Sequence, residues 1–250
     1  MLIGIDASRA TAERLTGTER YSHEIIRALV QAAPQHRFRL YTRTADTVPH
    51  ITGHNIEHVH IAQPRLWTHT GLAQEIAARQ PDALFIPAHV LPLSRPKHVR
   101  TVVVIHDVGY RYFPSAHPFT QRLYLDLSTA FTSRFATKLI SVSETTQQAV
   151  MKFYRTPASK IVVAHEGVLP LPEVSTQDSA AVQAKFNLPS QQPYFLHIGT
   201  LQPRKNLRRL LLAFATLRDS IHSPITNYLC SSSPAARVGV QKICPRWCIR

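Results

Sequence analysis

Tyr194-Phe195-Leu196-His197-Ile198-Gly199-Thr200-Leu201-Gln202-Pro203-Arg204-Lys205-Asn206 reads as an apolar strand that breaks at a glycine, a short polar turn with two adjacent cations, and the entry to a helix. The helix is written in the spacing of Leu207, Leu210, Leu211, Phe214 and Leu217. Glycine lets backbone amides approach an anion, a helix N-terminus adds partial positive charge, and Arg204 and Lys205 add full charge. A diphosphate is the ligand that suits this chemistry.

Working outward from that unit, the chain upstream alternates short β-branched runs with longer helical patterns. Strands are predicted near Leu2 to Ile5, Phe38 to Tyr41, Ile56 to Ile61, Ala83 to Ile86, Thr101 to Ile105, Leu139 to Val142 and Ile161 to Val163. Tyr21, Ile25, Ala28 and Leu29 mark a first helix, and Phe119, Leu123, Leu127, Phe131 and Phe135 mark the longest. Ser143 is placed to cap a helix running to about Tyr154. Strand and helix in alternation imply a mainly parallel, doubly wound α/β sheet. The expected layout is a complete Rossmann-like domain over residues 1–168 and a linker over 169–192 with a short helix around Ala180 to Phe186. The start of a second such domain follows over 193–220, with an atypical tail over 221–250. On this reading the second domain holds only its first strand-helix unit.

That tail has no acidic residue, four cations, a Ser231-Ser232-Ser233-Pro234 run and all three cysteines, and it is read as a truncated or frame-shifted end. The absence of cysteine before Cys230 argues against a disulfide framework in the main fold. At 250 residues and 44% hydrophobic, the composition is that of a globular chain. No stretch has the roughly 20 apolar residues of a membrane span, and Met1-Leu2-Ile3-Gly4-Ile5-Asp6 lacks the basic start of a signal peptide. A cytoplasmic protein is expected, with a peripheral position at the inner membrane face left open. The net charge of +14 suits nucleic acid, acidic lipid or anionic substrates. Its dispersed cations lack the basic-plus-aromatic modules of nucleic-acid binders, so nucleic acid is not expected as a partner, whereas a peripheral contact with an anionic membrane is compatible. His54, His58 and His60 approach metal-ligand spacing, but no well-placed third ligand completes a site, and no metal or cofactor is expected.

Five motifs occur in one order: Gly17-Thr18-Glu19-Arg20-Tyr21, Ile105-His106-Asp107, Ile140-Ser141-Val142-Ser143-Glu144, Glu166-Gly167-Val168, and the Gly199 to Asn206 turn. In that order they resemble the retaining glycosyltransferases of family 4, over about residues 1 to 219. The resemblance implies the GT-B architecture of two facing Rossmann-like domains, with acceptor mostly on the first and nucleotide-sugar mostly on the second. It is nearest in flavour to bacterial mannosyl- or rhamnosyl-type enzymes of cell-surface polysaccharide synthesis. The implied activity is transfer of a hexose, mannose-like, from a nucleotide diphosphate sugar to a saccharide or lipid-linked saccharide acceptor, with retention.

Such a reaction needs a stabilised departing diphosphate and a stabilised oxocarbenium-like sugar, which fixed cations and amides provide without a metal. The resemblance makes Arg204 and Lys205, with Gly199, the diphosphate-binding group, and brings Gly17 to donor phosphate or acceptor. Thr18 is either part of that cleft or a helix cap. His106 ends a nearly unbroken valine and isoleucine run, which places it at the carboxyl edge of the sheet. By resemblance it is the catalytic histidine that contacts the reacting sugar; the alternative is a buried histidine paired with Asp107, itself expected to orient the loop. Glu144 suits a helix N-terminus and Glu166 a hinge between domains. The family's second-domain glutamate pair has no counterpart after Ser220, where no glutamate occurs, so little or no turnover is expected of this chain alone. The alternatives are a stand-alone acceptor-binding or partner-binding domain and a GT-B nucleotide-sugar epimerase.

Overall fold

Val102-Val103-Val104-Ile105 has no polar face, and a strand of that composition needs cover on both sides. It lies inside a seven-stranded parallel sheet of order β3-β2-β1-β4-β5-β6-β7. The strands are β1 (Leu2–Asp6), β2 (Arg37–Thr42), β3 (Ile56–His60), β4 (Ala83–Ile86), β5 (Arg100–Ile105), β6 (Lys138–Ser141) and β7 (Ile161–Val163). The computed structural model describes residues 1–11, 17–45, 48–63, 65–168, 173–186, 194–199, 205–221, 226–231 and 240–242. It divides into two compact units, Met1–Val168 and Leu169–Arg250.

In the first unit the period of two sorts side chains into two cores. Leu84, Ile86, Val103, Ile105 and Leu139 join Trp67, Leu72, Ile76, Ala149 and Val150 on one face, which brings in α2 (Gly71–Arg79) and α5 (Glu144–Tyr154). Ile5, Phe38, Leu40, Phe85 and Val104 join Ile26 on the other, packed by α1 (Gly17–Ala32) through Tyr21, Ile25 and Leu29. The order reverses between β1 and β4, so the crevice of a doubly wound sheet opens at their carboxyl ends.

Ser143 caps α5 from an extended backbone, its Oγ accepting from Thr146 N–H at 3.1 Å. Ser143→Ala is expected to lower unfolding free energy by about 1 kcal/mol, read from urea midpoints at unchanged slope. Thr146 Oγ1 donates to the His106 carbonyl at 3.1 Å, so the same turn pins the end of β5.

The two helices after β5 differ in character. The four-residue α3 (Gly109–Tyr112) leads into α4 (Phe119–Phe135). The apolar stripe that marks α4 in the sequence faces outward over most of its length. Phe119, Leu123, Leu127 and Phe135 are exposed, Phe131 is partly buried, and Thr129, Thr132 and Ser133 are the buried residues. The reason is polar: Thr132 Oγ1 donates to the His89 carbonyl and accepts from Leu91 N–H, and Thr129 accepts from the Tyr110 hydroxyl. Lys160 Nζ donates to the Ser133 and Arg134 carbonyls at the C-terminus of α4, where the helix dipole favours a cation.

In the second unit α6 covers Thr176–Phe186, four residues more at its start than the short helix expected in the linker. Strand β8 (Tyr194–Gly199) precedes α7 (Leu207–Ile221), and Phe195 meets Phe214 edge-on at 5.6 Å. The atypical tail contributes pairing that its irregular period does not announce. Strand β9 (Thr226–Ser231) runs parallel to β8, and β10 (Val240–Lys242) pairs antiparallel to β9. Sheet formation there draws on Thr226, Tyr228 and Val240, which favour extended backbone. Phe195 and Leu196 point to opposite faces of β8 and both remain about half exposed.

Candidate functional site

His106 follows β5 directly and stands at the carboxyl edge of the sheet, its side chain 12% exposed. Its ring is held on every side. Nε2 lies 2.8 Å from the Pro87 carbonyl and Nδ1 lies 3.1 Å from Glu166 Oε1. Tyr21 approaches edge-on at 4.7 Å, and His89 stacks at 5.4 Å and 17°. A carbonyl only accepts, so Nε2 carries the hydrogen of its bond to Pro87.

His89 is the second histidine of the site. Its φ of 53° is in the left-handed region, and its N–H donates to the Val104 carbonyl at 3.0 Å. Its Nε2 accepts from the His106 backbone N–H at 3.1 Å. Burial pushes the His89 ring down to about 4, helped by the neighbouring His106 and Arg9 and opposed by Asp107. The imidazole therefore stays neutral at ordinary pH and keeps a lone pair for that amide.

The remaining wall comes from β1 and α1. Asp6 ends β1, accepts from Ser8 N–H at 3.0 Å, and is pushed up by burial against the opposing pull of Ser8, Arg43 and Arg9. Arg9 pairs with Glu19 at 2.8 Å, tying the β1 loop to the first turn of α1. Tyr21 is pushed up to about 12 by burial and by the Glu166 carboxylate.

Gly17 is the first residue of α1. Its φ is not in the left-handed region, and an added Cβ would meet nothing within 4 Å. The described backbone thus makes no demand for glycine there. Thr18 lies inside the first helical turn and its carbonyl accepts from Ser22 Oγ, so it is not the cap residue that the simpler reading makes of it. Asp107 is exposed, and its Oδ1 accepts from Gly109 N–H at 2.8 Å, which organises the start of α3. Glu144 begins α5 and lies 3.3 Å from His165. His58 and His60 turn their Nε2 atoms to the Ile51 and Arg43 carbonyls.

In the second unit Gly199 ends β8 and Lys205 is exposed just before α7. Asn206 has a φ of 51°, and its carbonyl accepts from Leu210 N–H. Arg204 lies outside the described residues.

The structure brings His106, His89, Glu166 and Tyr21 together. Glu166 is 60 residues from His106 and meets it because β7 ends two strands from β5. His89 offered a weak signal, a histidine three residues beyond a strand and before Leu91-Pro92, too common to single out.

The sequence model of Glycosyltransferase Family 4 matches residues 15–169, which span both the Gly17 turn and Glu166. The chain belongs to glycosyltransferase family 4, and its fold is of the GT-B class. It is similar to O-antigen chain mannosyltransferase B of Escherichia coli, 30% identical over 120 residues, which are 47% of this chain and 31% of that protein. It is similar also to O-antigen chain mannosyltransferase RfbU of Salmonella typhimurium, 24% identical over 123 residues, 49% of this chain and 30% of that one. Among solved structures, Anabaena Alr3699/HepE in complex with UDP-glucose matches with a TM-score of 0.58 at 16% identity, and a glycosyltransferase from Rickettsia africae ESF-5 with 0.56 at 13%. Each covers 92% of this chain and 60% of the other. The chain thus spans about a third of the curated relatives' length and 60% of these structures.

Proposed function

We propose that this protein acts in transfer of a hexose, mannose-like, from a nucleotide diphosphate sugar to a saccharide or lipid-linked saccharide acceptor, with retention, in cell-surface polysaccharide synthesis. The observation that carries the reading is His106. Its ring is fixed at the carboxyl edge of the sheet, beside the β1–β4 reversal, with Nδ1 turned to a half-exposed carboxylate. A sugar hydroxyl would compete with Glu166 for Nδ1, while the Pro87 carbonyl and the stacked His89 ring keep the His106 ring from swinging. The two mannosyltransferase relatives support the mannose-like donor, and the UDP-glucose bound by the Anabaena protein supports a nucleotide-sugar ligand in general. Gly199, Arg204 and Lys205 would hold the leaving diphosphate, with Gly17 bordering donor phosphate or acceptor and Thr18 and Asp107 bordering the acceptor.

The test is donor binding and turnover with GDP-mannose and UDP-glucose, with and without an oligosaccharide acceptor, by a version of the protein carrying a complete second domain, because little or no turnover is expected of this chain alone. His106→Ala is expected to cut turnover about 100-fold with donor affinity changed less than two-fold. Arg204→Ala and Lys205→Ala are expected to weaken donor binding about ten-fold each. Wild-type turnover by the His106 variant would overturn the assignment. Saccharide binding without donor cleavage would favour an acceptor-binding domain, and a donor altered at a sugar carbon without acceptor would favour an epimerase.

A further inference from the structure

The amino edge of the seven-stranded sheet, opposite the edge that carries His106, concentrates cations that the proposed transfer does not use. Arg100 opens β5, Lys138 opens β6, and Lys160 stands immediately before β7. The register sets Leu139 opposite Ile161, which places Lys138 and Lys160 side by side one position earlier. Neighbouring strands lie about 4.8 Å apart, so three in succession present a positive row. Arg95, Lys97 and Arg134 extend it. Arg95 donates to the Phe135 carbonyl at the end of α4, Lys160 donates to the Ser133 and Arg134 carbonyls there, and the Arg134 side chain is exposed on that last turn.

Among the described residues none of these cations holds an ion pair, whereas Arg9, Arg27, Arg39, Arg79 and Arg111 each hold a carboxylate elsewhere in the first unit. Along β4 to β7 the described carboxylate at this edge is Asp82, just before β4, and its Oδ2 already accepts from Leu2 N–H at 2.7 Å. Carbonyls at the end of α4 offset part of the charge, since a helix C-terminus favours cations. Like charges around one helix end still repel. Lys160 is accordingly pushed down, by burial first and then by Arg134 and Arg95. An anionic partner on this edge would relieve a repulsion that the first unit leaves standing.

We infer that this edge docks an acidic segment of a partner polypeptide, its carboxylates along the Arg100, Lys138 and Lys160 row and an apolar side chain against Phe135. Phe135 is 52% exposed beside these cations, and an aromatic ring flanked by arginines is the composition of a protein interface centre. A second copy of the chain fits less well, because a twofold contact here would set the cations against their own copies. A bilayer also fits less well. The length of β5, at about 3.3 Å per residue, holds His106 about 20 Å from the amino edge, so a membrane there would lie on the far side of the sheet from the site. A polypeptide on this edge leaves the carboxyl edge open. The inference stands apart from the proposed transfer, since a chain without turnover still docks through this edge.

Fluorescence anisotropy of the full chain with a labelled helical peptide of about 20 residues, rich in glutamate and carrying a leucine on each turn, tests it. Binding is expected about ten-fold tighter than to the same peptide with glutamine for glutamate, and weakened by salt. Lys97→Gln, Arg100→Gln and Arg134→Gln together are expected to cut it about ten-fold. Arg20→Gln, Arg37→Gln and Arg65→Gln together, at exposed cations elsewhere in the first unit, change it less than about two-fold. Phe135→Ala is expected to weaken the peptide about five-fold and to leave the binding of inorganic polyphosphate unchanged, which separates a polypeptide from a bare polyanion. Unchanged melting temperatures establish that the variants are folded; should Phe135→Ala fail to fold, Phe135→Gln carries that arm. Peptide binding that survives the edge triple, falls equally with the control triple or ignores Phe135 would overturn the inference. So would polyphosphate or phosphatidylglycerol vesicles held through Lys97, Arg100 and Arg134 more tightly than the peptide.

Discussion

His89→Gln is expected to flatten the acid limb of the stability curve by an amount on the order of 3 kcal/mol between neutral pH and pH 4. The folded ring takes up its proton near 4, against 6.5 for the exposed group. In that window the unfolded chain binds more protons than the folded one, so stability rises with pH. The contribution is complete above about 6.5 and is lost as pH falls toward 4. A difference of that size in proton affinity converts at 1.36 kcal/mol per unit. Glutamine keeps an acceptor for the His106 amide but does not titrate, so the comparison isolates protonation from loss of the hydrogen bond. Urea denaturation at pH 7, 5.5 and 4 gives the measurement. Parallel pH dependences for the two proteins would show that His89 does not stay neutral in the folded state. The same lone pair that resists protonation fixes the end of β5 under His106.

Trp67→Ala is expected to cost about 4 kcal/mol. Trp67 is completely buried and is the largest such side chain among the described residues. It packs in the core cluster with Leu72 and Ile76 of α2, its Nε1 donates to the Ile61 carbonyl at 3.2 Å, and Arg43 stands 5.3 Å over its ring. Truncation leaves a cavity between the sheet and α2. Trp67→Phe keeps most of the ring volume and loses the hydrogen bond, and about 1 kcal/mol is expected from the bond alone. Thermal and urea unfolding of both variants check the pair. A loss below 1 kcal/mol for alanine would show that the site collapses around the smaller residue.

Much of the fold was legible because composition alone decides it where a strand is buried on both faces. Val102 to Ile105 has one reading, and the placement of His106 at the sheet's carboxyl edge follows from it. Glu166 and His89 were not legible as partners of His106. Their approach depends on where β7 ends and on a left-handed backbone at His89, and neither leaves a local pattern. For α4, periodicity predicted a helix correctly but did not say which side faces the sheet. Its buried side is set by hydroxyls that satisfy the His89 to Leu91 turn, and a hydroxyl's buried partner cannot be read from spacing. Strands β9 and β10 escaped for a related reason, since pairing of β9 with β8 and of β10 with β9 supplies what their sequence period lacks.

The strand order carries a consequence for biogenesis. β1 emerges from the ribosome before either neighbour yet sits in the interior of the sheet, between β2 and β4. Its β2 neighbour ends at Thr42, while β4 begins only at Ala83. At about 5–20 residues per second, the second flank of the nascent Ile3-Gly4-Ile5 segment waits on the order of seconds for its mate. Slower translation prolongs that interval, so nascent-chain aggregation should depend on codon speed between β2 and β4.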